Sequence, residues 1–354
     1  LLKRLGEEFE IVNFERKNDL KLANKPIRLK ELEEGDALIA FSRKEVLNYK
    51  EQLEKLNKKV SVVYGALTPE VRKKEAARFR SGQTQVLVAT DAIGMGLNLP
   101  IKRIVFSEIS KYDGFSDRGL SKTELKQIGG RAGRYGIHEE GIISALEHNQ
   151  LQYLKQHFDE KDDFNEEILD NSLLISPTIN HIKKLSELLK TENIDKILKA
   201  FKEAIGKNNT YYKVASMESM LNIAKELEKI YGRDKRVIQL NLEEKFKYCC
   251  APLAGRFNRE AQIKSQDYFL TWMKTHLYSN NEVVTVDQSL SNYDDLATLE
   301  EIAKTLVLYK WLSFKFSNIY VEKEQADLLL GEINDKIEKA LSENKKPVNK
   351  LFKK

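Results

Sequence analysis

The chain has 354 residues, 32% of them charged, and a formal net charge of +5. This length exceeds what one hydrophobic core usually supports, so we expect two or three domains. The mixed charge indicates an ordinary surface and not a polycation, and no apolar run reaches the ~20 residues of a membrane span. The adjacent Cys249 and Cys250 favour structural thiols in a reducing compartment over a disulfide. The chain starts on Leu1 without a methionine or a secretory signal, so we expect an intracellular protein whose natural start lies upstream.

Short apolar runs alternate with helical segments between residues 36 and 146, a pattern typical of a parallel α/β sheet. Five of these runs are predicted to be buried strands: Ala37–Phe41, Val60–Tyr64, Val86–Ala89, Arg103–Phe106 and Ile142–Leu146. Helical periodicity covers Lys44–Leu56 and Pro69–Phe79, and Thr68 is a suitable cap for the second helix. Ser121 and Glu124 form a capping box that predicts a third helix.

Amphipathic helical segments replace the alternation after about residue 150. Side chains three or four positions apart form one apolar stripe, which predicts a long helix facing a core: Leu299, Ile302, Leu306, Tyr309, Leu312 and Phe316. The fold class predicted from these patterns is α/β followed by all-α.

The segment from Gln127 to Arg134 reads QIGGRAGR and is the most informative stretch of the chain. Its three glycines would let the backbone approach a phosphate, and two fixed guanidiniums suit a polyphosphate. Arg131 and Arg134 would share one face if the preceding helix continues through Ala132. No GxxxxGK[ST] loop occurs in the sequence, so we expect these arginines to form half of an ATPase site.

Polar residues follow three of the predicted strands, at the sheet edge where parallel α/β proteins bind ligands. They lie in Phe41–Arg43, Tyr64–Pro69 and Thr90–Asn98. Hydroxyls, backbone amides and helix amino ends commonly hold nucleic-acid phosphates without reading base sequence. Taken alone, the first two segments favour a structural turn, whereas for the third a strand that ends in a turn is the less favoured alternative. In the later loop Lys111–Phe115, packing is favoured over a stacking role for its aromatic rings.

Together these segments resemble motifs of superfamily-two helicases. QxxGRxGR resembles their arginine-finger motif, and the stretch from Thr90 to Asn98 resembles helicase motif V. The resemblance is to the Suv family in particular, the ATP-dependent RNA helicases of the mitochondrial degradosome and their bacterial relatives. It covers about residues 7 to 340 and rests on five phrases: 89–99, 101–106, 176–178, 250–252 and 308–316.

This resemblance implies two RecA-like domains of the P-loop NTPase fold followed by a helical region. We expect a remnant of the first domain, or a linker from it, at 1–20. The second RecA-like domain would occupy 21–150, the helical Suv-type domain 151–335, and a basic tail 336–354. The first domain, which would carry the phosphate loop and the Mg²⁺ ligands, is expected to be missing here.

The resemblance also implies roles for individual residues. Arg131 and Arg134 would be catalytic and reach the γ-phosphate of ATP, while Gln127, Gly94, Gly96 and Asn98 would contact the nucleotide. Asn98 stands where DEAD-box helicases place an acid. RNA-backbone contacts are expected from Ser42, Arg43, Gly65, Thr68, Thr90 and Asp91.

The expected function is coupling of ATP hydrolysis to RNA translocation and unwinding during RNA degradation. The chain alone would be inactive as an ATP hydrolase. Expected partners are single-stranded or duplex RNA, the first RecA-like domain in cis, and an exoribonuclease such as polynucleotide phosphorylase, with no membrane. The alternatives are a non-catalytic RNA-binding scaffold, a Ski-group helicase, or a helicase acting on DNA. Lysine- and asparagine-rich composition favours a bacterial cytoplasm, with the mitochondrial matrix as the alternative.

Overall fold

The computed structural model describes residues 6–10, 12, 18–94, 97–112, 116–133, 138, 140–158, 173–206, 212–253, 260–278 and 283–343. The chain divides into two compact units, whose main segments are Glu10–Phe164 and Asn165–Lys345. The first unit contains a parallel sheet flanked by helices, and the second is mainly helical. The predicted fold class, α/β followed by all-α, is confirmed.

Six parallel strands form the sheet of the first unit, in the order β1-β8-β5-β2-β4-β3. They are β1 (Asp19–Leu22), β2 (Asp36–Ile39), β3 (Val60–Val63), β4 (Val86–Ala89), β5 (Arg103–Phe106) and β8 (Glu140–Ala145). A separate antiparallel hairpin joins β6 (Ser110–Tyr112) to β7 (Asp117–Gly119). The five predicted strands are confirmed, with ends that differ by one or two residues. The sequence reading missed β1, because this edge strand has no buried residue and its two leucines are only partly covered.

Four helices accompany the sheet in the described part of this unit: α1 (Arg43–Lys55), α2 (Pro69–Arg80), α3 (Lys122–Gly129) and α4 (His148–Phe158). The predicted caps are confirmed, since Thr68 accepts a hydrogen bond from the Val71 amide, and Ser121 accepts one from Glu124. A capping side chain satisfies an amide that the first helical turn leaves without a partner. The sheet and α3 share one apolar core that includes Ile39, Phe106 and Leu125.

The described part of the second unit contains seven helices: α5 (Ile179–Leu189), α6 (Ile194–Gly206), α7 (Glu218–Arg233), α8 (Leu242–Cys249), α9 (Ser265–Tyr278), α10 (Leu296–Lys315) and α11 (Lys323–Ser342). A short parallel pair, β9 (Leu173–Ile175) and β10 (Tyr212–Val214), was not predicted. The apolar stripe predicted on a long helix is confirmed, because all six side chains are buried on or just after α10. Helix α11 continues past the predicted start of a basic tail at residue 336, since Ile337 and Leu341 are buried.

A buried polar cluster lies among the aromatic side chains of this helical unit. The Tyr248 hydroxyl lies 2.6 Å from His276 Nδ1 and 2.9 Å from the Tyr320 hydroxyl. Burial lowers the pKa of His276 and raises the pKa of Tyr248 well above its usual value. Both cysteines are free thiols, and Cys249 is buried whereas Cys250 is exposed. None of the helices that the structure describes is long and apolar enough to cross a membrane.

Candidate functional site

The carboxyl ends of β2, β3 and β4 bring three of the predicted motifs to one edge of the sheet. These strands are neighbours, with Ala89 paired to Ile39 on one side and to Val63 on the other. A predicted motif follows the carboxyl end of each strand. All three strands run in the same direction, so these ends lie at the same edge of the sheet. Segments that are up to about fifty residues apart in sequence therefore share one edge, where open α/β sheets bind ligands.

Ser42 and Thr68 cap the two helices that begin at this edge. The Ser42 hydroxyl accepts a hydrogen bond from the Glu45 amide at 3.1 Å and donates to the Glu45 carboxylate at 3.0 Å. Thr68 is buried, and its hydroxyl accepts from Val71 at 3.3 Å. Arg43 is the first residue of α1 and is half-buried. Both hydroxyls cap their own helices, and the amino ends of α1 and α2 therefore lie at this edge, where helix amino ends favour anions.

Gly65 follows β3 and is exposed. A Cβ atom built at this position meets nothing within 4 Å, and its backbone is not in the left-handed region. Neither the conformation nor the packing of the described chain therefore requires a glycine at Gly65. The position leaves open space between the end of β3 and the start of α2.

A short 3-10 turn, Asp91–Gly94, follows β4 and contains most of the described residues of the motif V segment. Thr90 is buried at the start of this turn, and its hydroxyl accepts a hydrogen bond from the Ala92 amide at 3.3 Å. An accepting hydroxyl keeps its own proton for donation. Asp91 is exposed, and its carboxylate accepts a hydrogen bond from Lys111 Nζ at 3.0 Å. As an anion, Asp91 can contact a nucleic acid through a sugar hydroxyl but repels phosphate.

The arginine motif lies directly against this turn. The Arg131 guanidinium donates a hydrogen bond to the Gly94 carbonyl oxygen. Gln127 is exposed, and its side chain lies beside Gly94, where an added Cβ would be 3.4 Å from Gln127 Cγ. The structure thus brings together three of the residues predicted for the nucleotide. Gly96 and Arg134 lie outside the described residues.

Helix α3 does not continue into the arginine motif. It ends at Gly129, and the next amides, of Arg131 and Ala132, donate to carbonyls three residues back at 3.0 Å. The backbone then leaves the helical region at Gly133, which has a φ of +70°. The condition that the helix continues through Ala132 is therefore not met. Arg134 lies outside the described residues, so a shared face of the two arginines stays a prediction.

Two of the motif's glycines are required by close packing, while approach of the backbone to a phosphate stays a prediction. A Cβ at Gly129 would lie 2.8 Å from Ile143 Cδ1, a side-chain atom of β8. Gly133 has a φ of +70°, and its Cβ would strike the Gly141 amide nitrogen and lie 2.6 Å from the Gly141 Cα. The Gly133 amide also donates to the Ile101 carbonyl at 2.8 Å. These glycines let the arginine motif sit directly on the start of β8.

Asn98 is exposed and is connected to α2 through its backbone. Its carbonyl oxygen accepts a hydrogen bond from Arg80 Nη2 at 3.1 Å. A contact between the Asn98 side chain and a nucleotide stays a prediction.

A four-membered charge network, which the sequence did not reveal, connects the motif V turn with α3. Lys111 Nζ lies 2.7 Å from Glu124 as well as 3.0 Å from Asp91, and Arg118 binds the Glu124 carboxylate through two nitrogens at 2.8 and 2.9 Å. The Arg118 hydrogen bonds, helped by Lys111 and the Ser121 amide, hold the pKa of Glu124 well below its usual range. Partial burial alone would lower the pKa of Lys111, but the hydrogen bonds to Glu124 and Asp91 outweigh it and raise that pKa. Glu124 and Lys111 therefore stay ionised at neutral pH.

The comparisons with known proteins agree with this geometry. A family model for the helicase conserved C-terminal domain matches residues 21–136, and a model for the ATP-dependent RNA helicase SUV3 C-terminal domain matches residues 296–343. The first match, with the parallel sheet and the motifs at its edge, defines the first unit as the carboxyl-terminal RecA-like domain of a superfamily-two helicase.

Three relatives identify the type of helicase. The mitochondrial DExH-box ATP-dependent RNA helicase DExH16 of Arabidopsis thaliana is 32% identical over 98% of this chain and 59% of its own length. The mitochondrial SUV3 helicase of Candida albicans is 45% identical over 43% of this chain and 22% of its own, and that of Oryza sativa subsp. japonica 34% identical over 82% and 49%. With the second family match, they show that the chain belongs to the Suv-type helicases and corresponds to their carboxyl-terminal portion.

The predicted location is wrong. A bacterial cytoplasm was favoured by composition, whereas all three relatives are named as mitochondrial proteins. Lysine and asparagine usage is a weak indicator, because it reflects surface composition and not a transport signal. The chain spans 59% of the first relative and less of the other two.

Proposed function

We propose that this chain supplies the second RecA-like domain and the helical region of a mitochondrial ATP-dependent RNA helicase. The relatives are named as such helicases, and the sheet edge carries motifs suited to a nucleotide on one side and a nucleic-acid backbone on the other. The phosphate loop and the Mg²⁺ ligands would come from a domain outside this sequence. The chain alone would therefore not turn over ATP.

One contact carries the proposed catalytic role: the hydrogen bond from Arg131 to the Gly94 carbonyl. It holds a guanidinium at the ligand-binding edge of the sheet, next to Gln127. A guanidinium has five N–H donors, so one such bond does not saturate it. A planar cation that never loses its charge stabilises the negative charge that develops on a transferred phosphoryl group. Arg131 would supply this charge together with Arg134, and Gly94, Gly96, Gln127 and Asn98 would line the nucleotide side.

The RNA backbone would follow the amino ends of α1 and α2 and the turn after β4. Helix amino ends and the Thr90 hydroxyl suit phosphates, and the open position at Gly65 allows close approach. Ser42, Arg43 and Thr68 would shape the same path, while Asp91 would accept from a ribose hydroxyl. Contacts of this kind position a strand without reading its sequence. Within the cell, the helicase would feed RNA to a degrading exoribonuclease, a polynucleotide phosphorylase in the family's pattern.

The test joins this chain to a domain that carries a phosphate loop and measures ATPase activity with and without RNA. We expect RNA-stimulated hydrolysis that falls on the order of a thousandfold in Arg131→Ala, the typical effect of an arginine finger. Arg28→Ala is the matched control, since Arg28 is an exposed arginine of the same unit whose partner, Glu31, lies outside the site. Full activity in Arg131→Ala would refute the catalytic role.

Substrate class needs a separate measurement, because backbone contacts do not distinguish RNA from DNA except through the 2′-hydroxyl. Competition between RNA and DNA strands of matched sequence at one salt concentration gives the preference directly. Equal binding of the two strands would contradict an RNA-specific helicase.

A further inference from the structure

The β6–β7 hairpin places one cation between the motif V turn and α3, and a second against α3. Lys111 on β6 contacts the Asp91 carboxylate at 3.0 Å and the Glu124 carboxylate at 2.7 Å. Arg118 on β7 contacts Glu124 from the other strand. Lys111 is therefore bound to the first residue of the turn and to the first helical turn of α3 at the same time.

We propose that Lys111 is a positioning residue that couples RNA held at the Thr90–Asp91 turn to the arginine motif at the end of α3. This inference rests on the proposed function. The charge network would then transmit the binding of RNA to the part of the site that contacts the nucleotide.

The turn after β4 is bound at both of its ends. At its first residue, the turn is tied to α3 through Asp91, Lys111 and Glu124. At its last residue, the Gly94 carbonyl accepts from Arg131, which follows the carboxyl end of α3. The four-residue turn is thus bound at one end to α3 and at the other to the segment that follows α3, so a shift of the turn acts on both. A change in the position of Asp91 is thus passed through Lys111 and Glu124 to α3, whose carboxyl end precedes Arg131.

Removal of Lys111 should affect the coupling between the turn and α3 without destabilising the start of α3. Glu124 keeps two bonds from Arg118 and the capping bond from the Ser121 amide when Lys111 is removed. The start of α3 therefore does not depend on Lys111, whereas the link to Asp91 does. The Lys111 and Glu124 side chains are each only 20% exposed, so water and salt weaken their pairing less than that of an exposed pair.

The experiment uses the protein in which this chain is joined to its phosphate-loop domain. The measured quantity is the RNA stimulation factor, the ratio of ATPase rates with and without saturating RNA. We expect Lys111→Ala to lower this factor about tenfold, within the usual range of coupling between two sites. Lys111→Arg should restore most of it, because arginine can bridge both carboxylates. Saturating RNA removes any contribution from weaker RNA affinity.

A double-mutant cycle distinguishes coupling from a structural effect. Asp91→Asn cuts the same bridge from the other side, so the double variant with Lys111→Ala should lose no more than either single variant. Lys50→Ala is the matched control, because it removes another largely buried ion pair of the unit, with Glu54, and should leave the factor unchanged.

The possible outcomes distinguish the coupling role of Lys111 from the proposed function. An unchanged stimulation factor in Lys111→Ala, or losses that simply add in the cycle, would overturn the coupling role while leaving the proposed function intact. An equal loss in Lys50→Ala would show that reduced stability explains the effect, and would also overturn it. Absence of RNA-stimulated hydrolysis in the unmodified protein would overturn the proposed function itself, and the inference with it.

Discussion

Replacement of Gly133 by alanine tests how the arginine motif is attached to the sheet. Gly133 has a φ of +70°, a conformation that L side chains rarely adopt, and the added Cβ would lie 2.6 Å from the Gly141 Cα and closer still to the Gly141 nitrogen. Both neighbours are backbone atoms of β8, so they cannot rotate away. The packing is also tight in the other direction, since a Cβ at Gly141 would lie 2.6 Å from the carbonyl of Ala132, the residue before Gly133.

The expected loss of stability has two parts. A left-handed backbone costs a non-glycine residue about 1–2 kcal/mol. Forcing an extra carbon into a filled site costs about 1–3 kcal/mol, and contact with backbone favours the upper part of that range. Gly133→Ala should therefore destabilise the first unit by about 3–5 kcal/mol.

Gly82→Ala separates these two parts. Gly82 also has a positive φ, of +74°, but the nearest atom to its added Cβ is the carboxylate end of Glu34 at 3.5 Å. Its loss should be confined to the backbone part, about 1–2 kcal/mol. Both tryptophans, Trp272 and Trp311, lie in the helical unit, so tryptophan fluorescence does not report on the sheet. Hydrogen exchange of the β5 and β8 amides gives the local free energy of opening instead.

The difference between the two variants is the decisive quantity. If Gly133→Ala loses no more than Gly82→Ala, the arginine motif is not packed on β8 as tightly as the structure requires. The interpretation of its glycines as packing residues would then be refuted.

The remaining predictions concern RNA binding and pH. Gly65→Ala should leave the free energy of unfolding unchanged or raise it by up to about 1 kcal/mol, because nothing in the described chain lies within 4 Å of the added Cβ. It should weaken RNA binding in a filter-binding assay, because the proposed RNA path uses that space; unchanged affinity would contradict this. Burial lowers the pKa of His276 when folded, so the unfolded chain takes up the proton first as pH falls. The urea midpoint of the helical unit, followed by tryptophan fluorescence, should therefore fall below about pH 6.5. His276→Gln should flatten this dependence and His148→Gln, at an exposed site, should not; the reverse pattern would refute the role of His276.

Local features of the fold could be read from the sequence because local forces produce them. Four-residue apolar runs such as Val86–Ala89 are buried on both faces of a parallel sheet, and Thr68 with Pro69 is a sufficient helix start. Strand β1 was not predicted, because an edge strand needs no continuous apolar run. The end of α3 could not be predicted either, because Gly129 and Gly133 are required by close packing against β8, which comes later in the chain.

The candidate site was only partly predictable for the same reason. Gln127, Gly94 and Arg131 were assigned to one nucleotide group from motif resemblance, and the structure does bring them together. The sequence places Lys111 at the start of a loop with aromatic residues, but no pattern around it indicates that it contacts two carboxylates. Its role depends on the register of the β6–β7 hairpin, which no periodicity encodes.

The sequence by itself determined the five buried strands of the sheet, the capped starts of its helices, and which motifs the chain carries, because burial patterns and capping side chains act over a few residues. Only the tertiary structure decided how those motifs meet. The bond between Arg131 and Gly94 spans 37 positions, and that between Lys111 and Asp91 spans 20. Such contacts exist because parallel strands deliver distant segments to one sheet edge, and close glycine packing seats the arginine motif against it.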